Sequence, residues 1–427
     1  MKVLIISHNP MTTYDCMGRT LLTLFSEFDR SELCQLYIYP TVPNADKCDS
    51  FYRITDKDVI RSFTCFKVKG HEVACDVGQS DLFENGSDEK LYRNPKNKTS
   101  VLMMMRDLAW SMAHWCNKDL KGWLEKEKPD AIFIAPGSAK FIYNVALRIS
   151  DMLSLPIVCY ICDDFYFVKT PSGLADKLCL SMLRKKTRSL MMHTSHIITI
   201  CDELRDDYSR EFGVPATTVM TGSSYGIAAA TKITASPGSI SYFGSIRCGR
   251  YRSICDIGAA LDRINSENGT SFELNIYTGE KDPEILGEIE KYRSVKLRGF
   301  VSGAEMERAF NASDILLHTE AFDEENIDAV RHSVSTKIAD ALAGGIPLIA
   351  YGPAEIASVS YLQRTDSALC ITSPDDLYKR LREVFVEKKD MTAIVLNALG
   401  TARKNHVSQL NSQLVRKIIS DAAHKKQ

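Results

Sequence analysis

The sequence predicts an α/β protein built from two consecutive doubly wound, Rossmann-like domains. Three observations predict it. Short apolar runs of strand type recur along the chain with helical stretches between them, the alternation of doubly wound α/β units. Several runs, such as Ile346-Pro347-Leu348-Ile349-Ala350-Tyr351, are apolar without alternation, as strands buried on both faces of a parallel sheet are. The length, 427 residues, holds two to three domains at roughly 150 residues each.

The first half predicts strands at 3–7, 36–39, 131–135, 157–161, 196–200 and 218–220. The polar stretch 70–100 reads as either a functional loop or disorder. A long helix is expected over 99–126, its Trp110, Trp115 and Trp123 packing into the core. Residues 221–238 are small and polar and end in Ala235-Ser236-Pro237-Gly238-Ser239, a linker pattern. The second half predicts strands at 240–244, 273–277, 295–297, 315–318, 347–350 and 368–371. Ser373-Pro374-Asp375-Asp376 is a helix start, with a capping Ser, Pro at the first position and acids in the first turn. In 407–425, Leu410, Leu414, Ile418, Ile419 and Ala422 form one amphipathic face. The expected division is therefore a domain over 1–222, a linker over 223–238, a second domain over 239–406, and a terminal helix over 407–427 that packs back on the first domain.

Composition excludes several classes. With 53 Lys+Arg against 54 Asp+Glu, the net charge is −1, without the basic excess of sequence-independent nucleic-acid binding. The apolar start 3–7 is too short for a signal-peptide core, and no run approaches 18 apolar residues. The 13 cysteines are scattered and odd in number, which reads as buried thiols of a reducing compartment. A cytoplasmic protein is expected, and the sequons at Asn85, Asn97, Asn268 and Asn311 are then chance matches.

Four segments of the second half carry a resemblance. In order they are Ser241-Tyr242-Phe243-Gly244-Ser245-Ile246; Arg298-Gly299-Phe300-Val301-Ser302; Phe310-Asn311-Ala312-Ser313-Asp314-Ile315; and Ser335-Thr336-Lys337-Ile338-Ala339-Asp340-Ala341-Leu342-Ala343-Gly344-Gly345-Ile346-Pro347. Together with the two similar halves and the final helix, they resemble the GT-B glycosyltransferases, in particular the family-4-like retaining group. The resemblance implies two Rossmann-like domains facing across a cleft and a hexose moved from a nucleoside-diphosphate sugar, of UDP or GDP type, to a glycan or lipid-linked acceptor with retention. It also implies surface polysaccharide or glycoconjugate assembly as the setting, with no cofactor and no metal. In one respect the chain departs from the family. Where many members carry two Glu eight positions apart, Asp340 holds the second place and His332 the first.

Physical reasoning about the same residues points the same way. Ser335-Thr336-Lys337 would open a helix whose free N–H groups, hydroxyls and ammonium suit a diphosphate. Asp340, four residues after Thr336, shares its face and could accept the ribose hydroxyls. The alternative is a capped helix with an exposed Asp. Of Arg247, Arg250 and Arg252, the resemblance puts Arg250 on the donor phosphates, with Arg247 second, where a cation stabilises the departing diphosphate. Gly244, Ser245, Arg298, Gly299, Phe300 and Val301 complete the expected donor site, Arg298–Val301 as the wall of the base.

In the first half, Met17-Gly18-Arg19 resembles the family's glycine loop, and His8 ends the first strand; these are the expected acceptor side. Asp163 and Asp164 end another strand, where one could orient or deprotonate the acceptor hydroxyl, or an Asp could cap the next turn. The expected catalytic set is Arg250, Lys337, Asp163 and Asp164. Cys159 and Cys162, three apart on a strand, point to opposite faces and cannot chelate together. Asp56-Lys57-Asp58 is a D-x-D outside any suitable strand pattern. Arg184, Lys185, Lys186 and Arg188 lie among apolar residues, as a solvated face or as a peripheral contact with the inner face of the plasma membrane. A nucleotide-sugar epimerase and a non-catalytic scaffold of the same fold remain alternative functions.

Overall fold

A computed structural model describes residues 1–65, 70–77 and 99–425. The chain forms two compact units, Met1–Met220 with Ser408–Gln427, and Thr221–Val407. Each is built on one sheet covered by helices.

Among the described residues the first unit's sheet has eight strands: β1 (Val3–Ser7), β2 (Leu33–Tyr37), β3 (Ser50–Arg53), β4 (His71–Val73), β5 (Ala131–Ala135), β6 (Ile157–Ile161), β7 (Thr194–Thr199) and β8 (Ala216–Thr218). Their order is β4-β3-β2-β1-β5-β6-β7-β8, parallel except for β4, which runs antiparallel to β3. β1, β5 and β6 are apolar throughout and buried at every position, as the unalternating runs predict. Strands β3 and β4 are additions to the sequence reading. Ser50-Phe51-Tyr52-Arg53 has too little apolar character to read as a buried strand. It is nonetheless buried, with the Arg53 guanidinium donating to the Thr41 carbonyl at 3.3 Å. Most of the polar stretch 70–100 lies outside the described residues.

The single helix expected over 99–126 is two helices, Ser100–Met112 and Lys118–Glu127. Ala113 takes an extended conformation, and Asn117 restarts the helix by accepting from the amides of Asp119 and Leu120. All three tryptophans are buried, as expected. The terminal helix Ser408–His424 packs on β5, β6 and helix Cys16–Leu24 through Val415, Ile418, Ile419 and Ala422. Leu410 and Leu414 are exposed instead, because Asn411 and Ser412 turn inward to donate to the carbonyl of Met220 and to accept from the amide of Glu27.

The second unit's sheet is β9 (Ser239–Phe243), β10 (Glu273–Tyr277), β11 (Val295–Leu297), β12 (Ile315–Thr319), β13 (Leu348–Tyr351) and β14 (Leu369–Ile371). It is wholly parallel, in the order β11-β10-β9-β12-β13-β14. Its core gathers Ile240, Leu274, Ile276, Leu317 and Ile349 under the helices Arg250–Asn268 and Pro374–Phe385. Ser373 caps the latter, accepting from the Asp375 amide. Residues 223–238 form no helix or strand, yet they are tied down along this unit. The Ala228 amide donates to the Ala343 carbonyl, the Lys232 amide to Gly345, and Thr234 to Asp314.

His406 clamps the start of this strap. Its Nδ1 contacts the Thr221 carbonyl at 2.8 Å and its Nε2 the Tyr361 hydroxyl at 2.9 Å, while its own carbonyl accepts from the Ser223 amide. A carbonyl can only accept, so Nδ1 carries the proton and Nε2 accepts from Tyr361. Burial lowers the pKa of His406 from 6.5 to about 4, and His318 and His196 are lowered by burial as well. A group depressed in the fold leaves stability intact above its unfolded pKa and loses it as pH falls through the folded one. Melting temperature should therefore drop between pH 6.5 and about 4, with His406 contributing up to roughly 3 kcal/mol of the loss. Calorimetry of His406→Gln across that window should show a shallower acid slope than the unmodified protein.

Candidate nucleotide site in the second unit

In the second unit, consecutive strands run outward in opposite directions from the β9–β12 pair, so this pair is the switch point of the sheet. Open α/β sheets bind ligands beyond the carboxyl ends of the strands at such a point. A cavity lies there, lined by Gly244 and Ser245 after β9, Glu320 after β12, Arg250, and Ser333–Ile338 with Asp340 and Ala341.

Arg250 is the first residue of helix Arg250–Asn268, and three features fix it. Gly249 precedes it with φ 70°, and a Cβ there would lie 2.6 Å from Asn326 Nδ2 and 2.8 Å from Ala321 Cβ, so only glycine fits. Ser253, one turn on, donates to the Glu320 carbonyl at 2.7 Å. The guanidinium itself forks onto Glu320, Nε to Oε2 at 2.8 Å and Nη2 to Oε1 at 3.0 Å. Glu320 is 1 % exposed, so the pair is desolvated on the carboxylate side. His318, also buried, contacts Ser358 Oγ at 2.9 Å and lies 3.6 Å from Glu320; burial keeps its pKa low, the neighbouring guanidinium lowering it further against the pull of Glu320.

Across the cavity, helix Lys337–Ala343 starts where the sequence predicts, with Thr336 as its cap. Ser335, Thr336, Lys337 and Asp340 all line the cavity. Asp340 is buried, not the exposed Asp of the alternative reading. It also has a structural task that the sequence does not reveal: its Oδ1 accepts from Ser223 Oγ at 3.0 Å and the Ser224 amide at 2.7 Å, pinning the strap 223–238. Phe310 and Phe243 supply an apolar wall, Phe243 stacking on Tyr277 with centroids 4.5 Å apart. His332, eight positions before Asp340, is buried beside the cavity segment.

The other expected donor residues lie outside the cavity lining. Arg247 points to Glu280, Nε to Oε2 at 2.7 Å, and is mostly exposed. Arg298 is drawn back along the sheet by Asn275 and Glu273, at 2.7 and 3.2 Å. Gly299 turns the chain at φ 77° after β11, which leaves Phe300 74 % exposed and Val301 half-buried. Glu320, His318 and Gly249 are the residues that the sequence reading missed. Glu320 had a usable signal, since an acid ending an apolar strand is the same pattern that singled out Asp163 and Asp164.

In the first unit, His8 follows β1, and its Nε2 lies 3.3 Å from the Arg106 guanidinium, which also donates to Asp56 at 2.9 Å. Trp110 donates to the same Asp56 oxygen, so Asp56 ties two helices together, while Asp58 bonds Thr55 at the start of its own helix. Gly18 is explained locally: a Cβ there would lie 2.4 Å from Thr12 Oγ1, so the glycine lets the helix start pack on its own loop. Arg19 is exposed. Asp164 takes the capping role, its Oδ1 accepting from the amides of Tyr166 and Phe167, both at 2.9 Å. Asp163 stays exposed at the end of β6. Of the basic run, Arg184 turns in to the carbonyls of Tyr166 and Val168, Lys186 bonds Asn144, and Arg188 lies over the Tyr166 ring. Lys185 stays exposed, so the run does not present four cations on one open surface.

Comparison with known proteins bears on the fold. Residues 261–415 match the family model described as glycosyl transferase-like. No curated protein matches the chain. Among solved structures, Anabaena HepE in complex with UDP is similar over 99 % of this chain and 100 % of that one, with 13 % identity and a TM-score of 0.60. The α,α-trehalose 6-phosphate synthase of Burkholderia multivorans gives 10 % identity and 0.59 over the whole of both chains. The sucrose-phosphate synthase of Thermosynechococcus elongatus gives 10 % and 0.59 over 99 % of this chain and 100 % of that one. The chain thus has the GT-B glycosyltransferase fold, with two Rossmann-like units and a glycosyl transferase-like sequence over residues 261–415.

Proposed function

We propose that the protein is a glycosyltransferase whose second unit binds a nucleoside-diphosphate sugar. The observation that carries this is the convergence of Arg250, Lys337 and the Ser245, Ser335 and Thr336 residues on one cavity at the sheet's switch point. A diphosphate there meets two cations and several donors, which stabilise it most as its charge grows on departure. UDP is the first nucleotide to test, because it is the one bound in Anabaena HepE. Asp340, beside the strap, is the proposed ribose acceptor.

For the chemistry we propose retention: the acceptor hydroxyl oxygen bonds to the sugar's anomeric carbon on the face from which the diphosphate leaves. The carbon–oxygen bond to phosphate breaks with its electrons going to the phosphate, and a phosphate oxygen takes the hydroxyl proton. Asp164 is then a turn cap and not a base, while Asp163 remains the proposed carboxylate on the acceptor side, with His8 and Arg19. A glycan or lipid-linked acceptor, glycoconjugate assembly and a cytoplasmic setting belong to the same proposal. The Arg250–Glu320 fork favours one other reading, a non-catalytic protein of this fold, since the guanidinium already has a carboxylate partner.

A thermal-shift titration with UDP, GDP, ADP, CDP and dTDP, with and without EDTA, tests the site. One nucleotide, UDP first among them, should stabilise the protein by about 2.7 kcal/mol at a hundred times its dissociation constant, unchanged by EDTA. No shift with any nucleotide would overturn the donor-site reading. A shift without any acceptor-dependent release of nucleotide from the matching sugar donor would leave the non-catalytic reading.

A further inference from the structure

Helix Ser100–Met112 is apolar on its solvent side as well as on its buried side. Its buried side carries Asp107 and Trp110, while Val101, Met105, Leu108 and Met112 are 51, 61, 59 and 60 % exposed. Their spacing of four, three and four places them in one stripe on the solvent side. An ordinary surface helix is polar on that side.

The two helices that flank it continue the apolar surface. Helix Ser100–Met112 packs against both Asp56–Cys65 and Leu174–Met191. The first presents Ile60 and Phe63 to solvent, and the second presents Leu174, Leu178 and Met182 at intervals of four. Exposed apolar area extending over three packed helices marks an interaction surface, since monomers seldom carry it. Charge indicates the partner. On these helices Arg61, Lys177, Lys185 and Arg188 are exposed, while Asp176 is the one exposed acid among the described residues. Apolar stripes interleaved with cations match a layer of acyl chains under anionic headgroups, where long basic side chains reach up to the phosphates.

We propose that this face of the first unit seats the protein on an anionic lipid bilayer. The surface differs from the basic run 184–188 read from the sequence: the apolar stripe of helix Ser100–Met112 is its centre, and Lys185 and Arg188 are only part of its rim. It lies wholly in the first unit, so it can fail or stand independently of the donor cavity.

Vesicle co-sedimentation of the full chain tests it, with phosphatidylcholine vesicles prepared with and without phosphatidylglycerol. The protein should sediment with the anionic vesicles and be released by salt. Met105→Asp combined with Leu178→Asp should weaken this by at least about tenfold, with the melting temperature unchanged because both positions are exposed. Arg61→Glu with Lys177→Glu should weaken binding to the anionic vesicles. Failure of the unmodified protein to sediment, or equal sedimentation of the Asp variant, would overturn the proposal. So would a dimer in light scattering that the Asp variant converts to monomer, because the face would then belong to a second copy.

Discussion

Replacing Arg250 by Met should lower turnover by about a hundred- to a thousandfold, the usual cost of losing one preorganised group at developing charge. The same change should cost about 3–5 kcal/mol of stability, because it strands the buried carboxylate of Glu320 without its partner. The two losses have different causes and can be separated. In Arg250→Met with Glu320→Gln no charge is left buried, so most of the stability should return. Turnover should not, since the cation for the diphosphate is still missing. Denaturant unfolding and steady-state kinetics on the single and double variants check this. Parallel recovery of both quantities would mean that Arg250 serves the fold alone.

Lys337→Ala should give the contrasting pattern. Lys337 is half-buried at a helix start, so its loss should move stability by no more than about 1 kcal/mol, the scale of a partly exposed ionic contact. Turnover should still fall about a hundredfold if the ammonium faces the leaving diphosphate. Steady-state kinetics beside a melting curve reads both. Asp340 is a poorer probe of the site. Its carboxylate holds Ser223 and Ser224, so Asp340→Ala would loosen the strap as well as any ribose contact, and one readout would mix the two.

The sheets were largely legible in the sequence because parallel strands buried on both faces must be apolar at every position, as β1, β5 and β6 are. Strand β3 escaped because its polar Arg53 and Ser50 are held by hydrogen bonds with the Thr41 carbonyl and the Trp123 indole, which no periodicity reports. The break at Ala113 escaped because the apolar pattern continues across it. At the site, local chemistry was readable where it follows chain order: Thr336, Lys337 and Asp340 sit on one helix start. What could not be read was pairing across the unit. Glu320 lies seventy positions from Arg250 in the chain and forks its guanidinium. Neither Arg298 nor Arg247 reaches the cavity, because each is held by an acid that sequence spacing does not identify.

The cavity at the β9–β12 switch point is proposed to bind a nucleoside diphosphate through Arg250. Calorimetric titration of UDP into the unmodified protein and into Arg250→Met with Glu320→Gln tests this binding, the double variant being expected to recover most of its stability. One site is expected in the unmodified protein, with affinity at least about tenfold weaker in the double variant, the scale of one lost charged hydrogen bond. Equal affinity for UDP in the two proteins would contradict it.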